Sequence, residues 1–293
     1  MIQDLENLFQ TQVKSWARLA AGVEGLARAQ TRPVRIDWFD VFTRHIPHRV
    51  GSTTAMVDVD SISKRPCFLC PGNLDSEQKG IGFGSNYTLY FNPFPIVDRH
   101  LTIVHREHKP QRIAGEFGNM LDLAAALPGY FVIYNGPECG ASAPDHMHFQ
   151  AGSRALFPIE RDTARITGAA VRNYARNVFL FRDSDRSRLA DTMDRSIELL
   201  ASATRKRPEP LINIAAFRDP SGWTVYLFPR GKHRPAVFHS GELTVSPASI
   251  DLCGIFVLPL EEDFKRITGG DIAAIFREVT LPDNAFEEVL AKL

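Results

Sequence analysis

Apolar residues recur every three or four positions from residue 4 to 28, at Leu5, Leu8, Phe9, Val13, Trp16, Ala20, Val23 and Leu26, and this spacing predicts one amphipathic helix, a lid or docking element. From Val34 to Phe42 the pattern partly alternates, as in an extended segment, and "RVGSTTAMVDVD" continues that texture. Residues 64–86 are rich in Gly, Pro and polar side chains and predict a long loop braced by something else. Residues 87–105 then read as two short strands joined by a proline corner. A helix opened by Pro110 follows, with Ile113, Phe117, Met120, Leu121, Ala124 and Leu127 on one face. Two more strands come at 130–135 and in "HMHFQ". The order describes a mostly antiparallel sheet with packed helices, an α+β fold.

The second half echoes the first. Residues 212–235 pair two apolar strands with a basic turn ending His-Arg-Pro, beside 91–110, which ends His-Lys-Pro. An offset of roughly 120 to 125 residues predicts a degenerate repeat in which "DLCGIFVLP" (251–259) is the counterpart of the histidine-bearing strand. The expected division is an N-terminal helix (1–33), a catalytic half (34–175) and a degenerate half (176–293). "TRKRPEP" (204–210) reads as a linker.

Composition narrows the function. The chain has 293 residues, with 34 basic and 34 acidic side chains, so no global field favours nucleic acid or an anionic membrane. No basic, apolar leader opens it and no run approaches 18 apolar residues, which predicts a cytoplasmic protein. Four cysteines make no disulfide framework, and Cys67 and Cys70 in C-x-x-C spacing suggest metal or redox chemistry.

The densest chemistry lies in "SAPDHMHFQ" (142–150). On a strand, His146, His148 and Gln150 share one face while Met147 and Phe149 enter the core. A metal site explains both imidazoles but not the glutamine, and acid–base work explains one histidine only. Nucleophilic attack on phosphorus uses all the polar residues: an imidazole attacks, Gln150 and Ser142 donate to the phosphate, and Gly140 with Ala141 lets backbone amides approach an anion.

"NGPECGASAPDHMHFQ", supported by "NPFPIVDRHLTIVHREHKPQ", resembles the active-site strand of the histidine-triad superfamily, in the branch where His-x-His-x-Gln replaces three histidines. That branch includes galactose-1-phosphate uridylyltransferase, diadenosine tetraphosphate phosphorylase and the GDP-hexose phosphorylases. The resemblance implies that His148 becomes nucleotidylated, that Gln150 and Ser142 hold the phosphate, and that Asn135 supports the loop or substrate. Ser142 stands four residues before His146, one more than in the family pattern. The resemblance also implies a structural zinc held by Cys67, Cys70, His108 and His146, and it places Asn92 near the nucleoside.

Gln111, beside Pro110, is a further candidate for phosphate contact, and Arg230 and Lys232 in "PRGKHRP" for clamping the acceptor. His100 and His105 read as solvent-facing or capping. The implied activity is a nucleotidyltransferase or phosphorylase acting on a nucleoside diphosphate sugar or dinucleoside polyphosphate, with phosphate or sugar phosphate as acceptor, in a possible homodimer. A hydrolase of the same fold and a non-catalytic nucleotide sensor or scaffold are the alternatives.

Overall fold

The computed structural model describes residues 1–155 and 157–293. Among the described residues twelve strands form two sheets. β1 (Gln30–Ile36), β2 (Phe39–His45) and β12 (Ile255–Leu258) make a small sheet in the order β1-β2-β12, with β12 parallel to β2. The nine others, β3 (Gly80–Phe83), β4 (Tyr87–Phe91), β5 (Leu101–His105), β6 (Tyr130–Asn135), β7 (His148–Ser153), β8 (Ala170–Val171), β9 (Val178–Asp183), β10 (Ile212–Asp219) and β11 (Gly222–Pro229), form one antiparallel sheet. Its order is β3-β4-β5-β7-β6-β10-β11-β9-β8.

The central strands are continuous apolar runs because both of their faces are covered. In β6, Val132 and Tyr134 enter a core with Met147, Phe149 and the helices Phe117–Ala126 and Arg186–Thr204, while Phe131 and Ile133 enter a second core against the small sheet and the helix Gly269–Val279. Met147 and Phe149 are fully buried, each stabilising the placement of β7 by about 1.5–3 kcal/mol.

The sequence repeat exists with a different correspondence. β4, β5, helix 117–126, β6 and β7 are followed by β8, β9, helix 186–204, β10 and β11, and apart from edge strand β3 the sheet order is a palindrome about the β6–β10 pair. Residues 212–235 therefore match β6 and β7 rather than 91–110. The counterpart of the histidine strand is β11, which carries no histidine, and "DLCGIFVLP" instead supplies β12 to the small sheet.

Three other expectations are corrected. The N-terminal helix is two, Ile2–Ser15 and Ala17–Ala27, broken at Trp16, which is extended (φ −121°, ψ 98°) and buried with its indole N–H donating to Asp75 Oδ2 (2.9 Å). "RVGSTTAMVDVD" (49–60) is not a strand: it contains the short helix Val50–Thr53 and ends in the first turn of helix Val59–Ser63, which the Asp58 carboxylate caps through the Ser61 N–H. The helix expected from Pro110 starts at Phe117, because the Ile113 N–H donates to Glu209 Oε2 (2.7 Å) rather than into a helix. Among the described residues no helix is long and apolar enough to cross a membrane.

Candidate active site and metal centre

β7 begins at His148, so His146 lies in the turn before it and the two imidazoles have different surroundings. The His148 ring is 3% exposed, and its Nδ1–H donates to the carbonyl of His146 (2.8 Å). That bond fixes the neutral tautomer and leaves Nε2 with a free lone pair. Burial pushes the imidazole down to about 4, so it is uncharged at neutral pH.

Gln111 is not a phosphate contact. Its Nε2 donates to the carbonyls of Asn135 (2.9 Å) and His148 (3.0 Å), and its Oε1 accepts the His148 N–H (2.7 Å). The amide thus stitches the end of β6 to the start of β7 and fixes the backbone of His148.

Gln150 sits two residues on and has a partner that the sequence reading placed in solvent. His100 is 2% exposed; its Nδ1 accepts the Ile96 N–H (3.2 Å), so Nε2 carries the proton and donates to Gln150 Oε1 (2.8 Å). Burial drives His100 down to about 3 and keeps it neutral. With its oxygen held, Gln150 offers its NH2 group to the cleft that it lines. His105 is buried too, and its carbonyl accepts His146 Nε2–H (2.7 Å).

The cleft is narrow, about 90 Å³, and is lined from the first half by Asn92, Asn135, Gly140, Ala141, Ser142 and Gln150. Gly140 needs to be glycine: its φ is +99°, and a Cβ there would lie 2.6 Å from the Ala248 Cβ. Asn135 Oδ1 accepts from Asn213 Nδ2, Ser249 N–H and Ser249 O–H (2.8, 3.0 and 2.7 Å), leaving its own NH2 for the cleft. Asn92 also closes the proline corner, accepting the Phe94 N–H (2.8 Å) and donating to Thr102 (3.1 Å). A wider cleft of about 540 Å³ adjoins, sharing Asn92, Ser142 and Arg49 and walled by Phe68, Tyr90 and Phe94.

Neither Arg230 nor Lys232 lies at the site. Arg230 is 1% exposed and spends its five N–H groups on the carbonyls of Val279, Pro247, Lys232 and His233 and on Asn213 Oδ1. Lys232 is exposed and pairs with Glu278 (3.0 Å). The turn that Arg230 shapes sends His233 and Arg234 to the cleft instead, and Arg49 joins them from the first half. The basic turn "PRGKHRP" was the signal for His233 and Arg234, whereas Arg49 comes from a separate element and carried none.

Cys67, Cys70, His108 and His146 converge, with all ligand atoms within 4.8 Å of one another. Cys67 Sγ is 3.3 Å from His146 Nδ1, and Cys70 Sγ is 3.2 Å from His108 Nδ1 and 3.6 Å from His146 Nδ1. Tetrahedral zinc with two thiolates and two imidazoles gives S to N edges of about 3.5 Å, so the donors fit such a metal. His146 is already oriented for it: donation from Nε2 to His105 leaves Nδ1 as the ligand atom. His108 Nε2 lies 3.7 Å from a carboxylate oxygen of Asp145.

Residues 8–153 match the family described as "Domain of unknown function (DUF4922)", and residues 154–293 match "GDPGP1-like, C-terminal domain". The fold is similar to that of yeast Ap4A phosphorylase Apa2, with a TM-score of 0.64 at 18% identity over 95% of this chain and 97% of that one. The chain has a fold of the histidine-triad type seen in that phosphorylase. In sequence the chain is 28% identical to galactose-1-phosphate uridylyltransferase of Streptococcus salivarius over 118 residues, and 33% identical to that of Bifidobacterium longum over 76. These matches cover 36% and 25% of this chain and only 24% and 15% of those relatives. The Apa2 fold has also been seen with AMP and with Ap4A bound, at TM-scores of 0.65 and 0.64.

Proposed function

We propose that this histidine-triad protein is a phosphorylase-type nucleotidyltransferase that works through a nucleotidyl-histidine at His148. The observation that carries the reading is the tautomer of His148: a neutral imidazole with Nδ1 tied to a carbonyl and Nε2 free, beside an amide turned to donate. Nε2 attacks the α-phosphorus of a nucleoside diphosphate sugar or dinucleoside polyphosphate, forming an N–P bond as the bond to the leaving phosphate breaks with its electron pair. Gln150, Ser142, the Asn135 amide and the backbone around Gly140 would hold the α-phosphate oxygens as charge develops. The wider cleft, with Asn92 and the aromatic rings, would take the nucleoside. In this reading residues 34–175 carry the chemistry, and 176–293 lend walls without a second nucleophile.

Zinc at the four-ligand cluster would tie the loop before β3 to the turn before β7, with no part in the phosphoryl step. It also accounts for His146, which holds metal rather than attacking.

The test is intact-mass measurement after incubation with nucleotide sugars and dinucleoside polyphosphates. An adduct of one nucleoside monophosphate is expected, discharged by phosphate or sugar phosphate. No adduct with any donor would sink the covalent mechanism, and discharge indifferent to those acceptors would mark a hydrolase.

The pH dependence follows from the depressed imidazole. Protonated Nε2 has no lone pair, so the rate of adduct formation should be level between about pH 5 and 8 and fall about tenfold per unit below the His148 value of about 4. The stability sign is the same. A histidine held below its unfolded value contributes fully above about pH 6.5, and that contribution drains as the unfolded chain protonates first, by up to about 3 kcal/mol for His148 and about 5 kcal/mol for His100. Unfolding temperature measured from pH 7 down to 4 should therefore fall; a rise would contradict burial of neutral rings.

His100→Phe tests the orientation of Gln150. Adduct formation should slow by about 10- to 100-fold, and the His100→Phe/Gln150→Ala pair should be no slower than Gln150→Ala alone. Additive losses would show that His100 acts elsewhere.

A further inference from the structure

The cation at Arg230 is buried without a counter-ion. Its acceptors are the carbonyls of Val279 (2.9 Å), Pro247 (3.0 Å), Lys232 (3.0 Å) and His233 (2.8 Å), together with Asn213 Oδ1. Among the described residues no carboxylate pairs with it. The carboxylate whose field reaches it, Asp251, is turned to the N–H groups of Ala248 and Val257 (2.9 Å each), and burial raises it to about 6. Carbonyl oxygens solvate a guanidinium without neutralising it, and arginine keeps its proton. A buried charge in that state is costly unless an opposite charge comes to share its field.

One of the acceptors leads to the cleft. Asn213 stands opposite Asn135 in the β10–β6 pair, and both side chains are buried. Arg230 can only donate, so the atom facing it is Asn213 Oδ1. The Cys139 carbonyl can only accept, so the atom facing it is Asn213 Nδ2 (2.7 Å). That NH2 group also donates to Asn135 Oδ1 (2.8 Å), to which the Ser249 N–H donates as well (3.0 Å). Groups of a single sense therefore fix both amides, and the Asn135 NH2 is the end left at the cleft wall. From Arg230 through Asn213 to Asn135 every N–H points the same way, and away from water each such bond polarises the next.

We propose that Arg230 is a positioning residue for the reaction, acting through Asn213 to hold the Asn135 NH2 toward the cleft and to polarise it for an oxyanion. The proposal rests on the nucleotidyl-histidine reading and deepens it. As His148 Nε2 bonds to the α-phosphorus, the phosphate oxygens gain charge, and that oxyanion is the opposite charge which the buried guanidinium lacks. The second half has no nucleophile, yet Asn213, Arg230 and Ser249 all belong to it, so it takes part in the chemistry from behind the wall.

The test uses the full chain with Arg230→Gln, Arg230→Lys and Asn213→Asp, each checked for a cooperative unfolding transition. Arg230→Gln keeps an N–H for Asn213 and removes the charge, whereas Arg230→Lys keeps the charge and loses the fork. Asn213→Asp neutralises Arg230 in place and has no N–H for Asn135; its direct ion pair keeps it folded should an Arg230 variant unfold. The donor is whichever nucleotide sugar or dinucleoside polyphosphate labels the wild type. At saturating donor, adduct formation followed by intact mass should slow at least about tenfold in Arg230→Gln and Asn213→Asp and stay within about threefold of wild type in Arg230→Lys. A turn-shaping role alone would slow Arg230→Gln and Arg230→Lys alike. Equal slowing in those two, or wild-type rates in Arg230→Gln or Asn213→Asp, overturns the relay and leaves the covalent reading standing. No adduct in the wild type overturns the covalent reading, and a measurement without adduct then decides the relay. At constant ionic strength, inorganic phosphate should raise the unfolding temperature of wild type and Arg230→Lys further than that of Arg230→Gln and Asn213→Asp. Equal rises in all four, or none in the wild type, overturn the relay.

Discussion

Replacing His148 with alanine is expected to abolish the nucleotidyl adduct and to lower turnover by at least about 10⁴-fold, the scale on which loss of a covalent nucleophile is felt. No neighbouring side chain can substitute. His146 faces the cysteine pair with Nδ1 and donates through Nε2, and His100 has both ring nitrogens engaged. The variant should nevertheless fold, because Gln111 holds residue 148 through its backbone N–H and carbonyl, which alanine keeps. What is lost is a buried ring and one hydrogen bond, about 2–4 kcal/mol together. The measurement is intact mass and steady-state rate, with unfolding temperature as the control. An adduct that persists in the variant would move the nucleophile elsewhere.

The second large effect is expected at the metal cluster. Wild-type protein should carry about one equivalent of zinc by elemental analysis, and Cys67→Ser should carry less than about a tenth of that, because a hydroxyl does not replace a buried thiolate ligand. Loss of the metal leaves two imidazoles and a thiol crowded beside one another with nothing to draw them together. A cost of about 3–5 kcal/mol, or about 5–15 °C in unfolding temperature, is expected, along with earlier proteolysis in 64–86. The effect should centre on the turn around the cysteines, where Phe68 is 45% exposed over the small cluster of Cys67, Leu69, Val104 and Ala143, because Asp75, Glu77 and Lys79 are held by Trp16 and Gln12 and residues 80–83 pair with β4. Wild-type protein without metal would refute the zinc assignment.

Local patterns in the chain were readable where one strand or one motif carried the whole signal. Met147 and Phe149 alternate into the core as expected, the β4–β5 hairpin follows its proline corner, and the cysteine pair meets both of the histidines proposed for it. What escaped is what pairing creates. His100 meets Gln150 because β5 and β7 are neighbours, with Thr102 opposite Gln150. A solitary histidine fifty residues away gave no sign of it. The basic turn was noticed, but burial divides its charges: Arg230 is consumed by carbonyls, and Arg234 is left to face the cleft. "TRKRPEP" looked like a linker, yet its Glu209 is buried, accepts from Tyr134 O–H (2.7 Å) and from Ile113 N–H, and is raised to about 7 by burial. Polar composition alone does not distinguish a solvated charge from one that ties two segments together.

The contact between Gly140 and Ala248 bears on how such a chain can vary. The loop that would cradle a phosphate belongs to the stretch matched by one family, and the methyl group that limits it belongs to the stretch matched by the other. Asn135 and Ser249 cross the same boundary. A crossover at residue 153 between distant relatives would join surfaces that were shaped against different partners, and its first casualty would be the anion loop rather than the core of either piece. Residue 140 is confined to glycine by its own φ, so the variable side of this contact is 248, where a side chain larger than alanine would press on the anion loop.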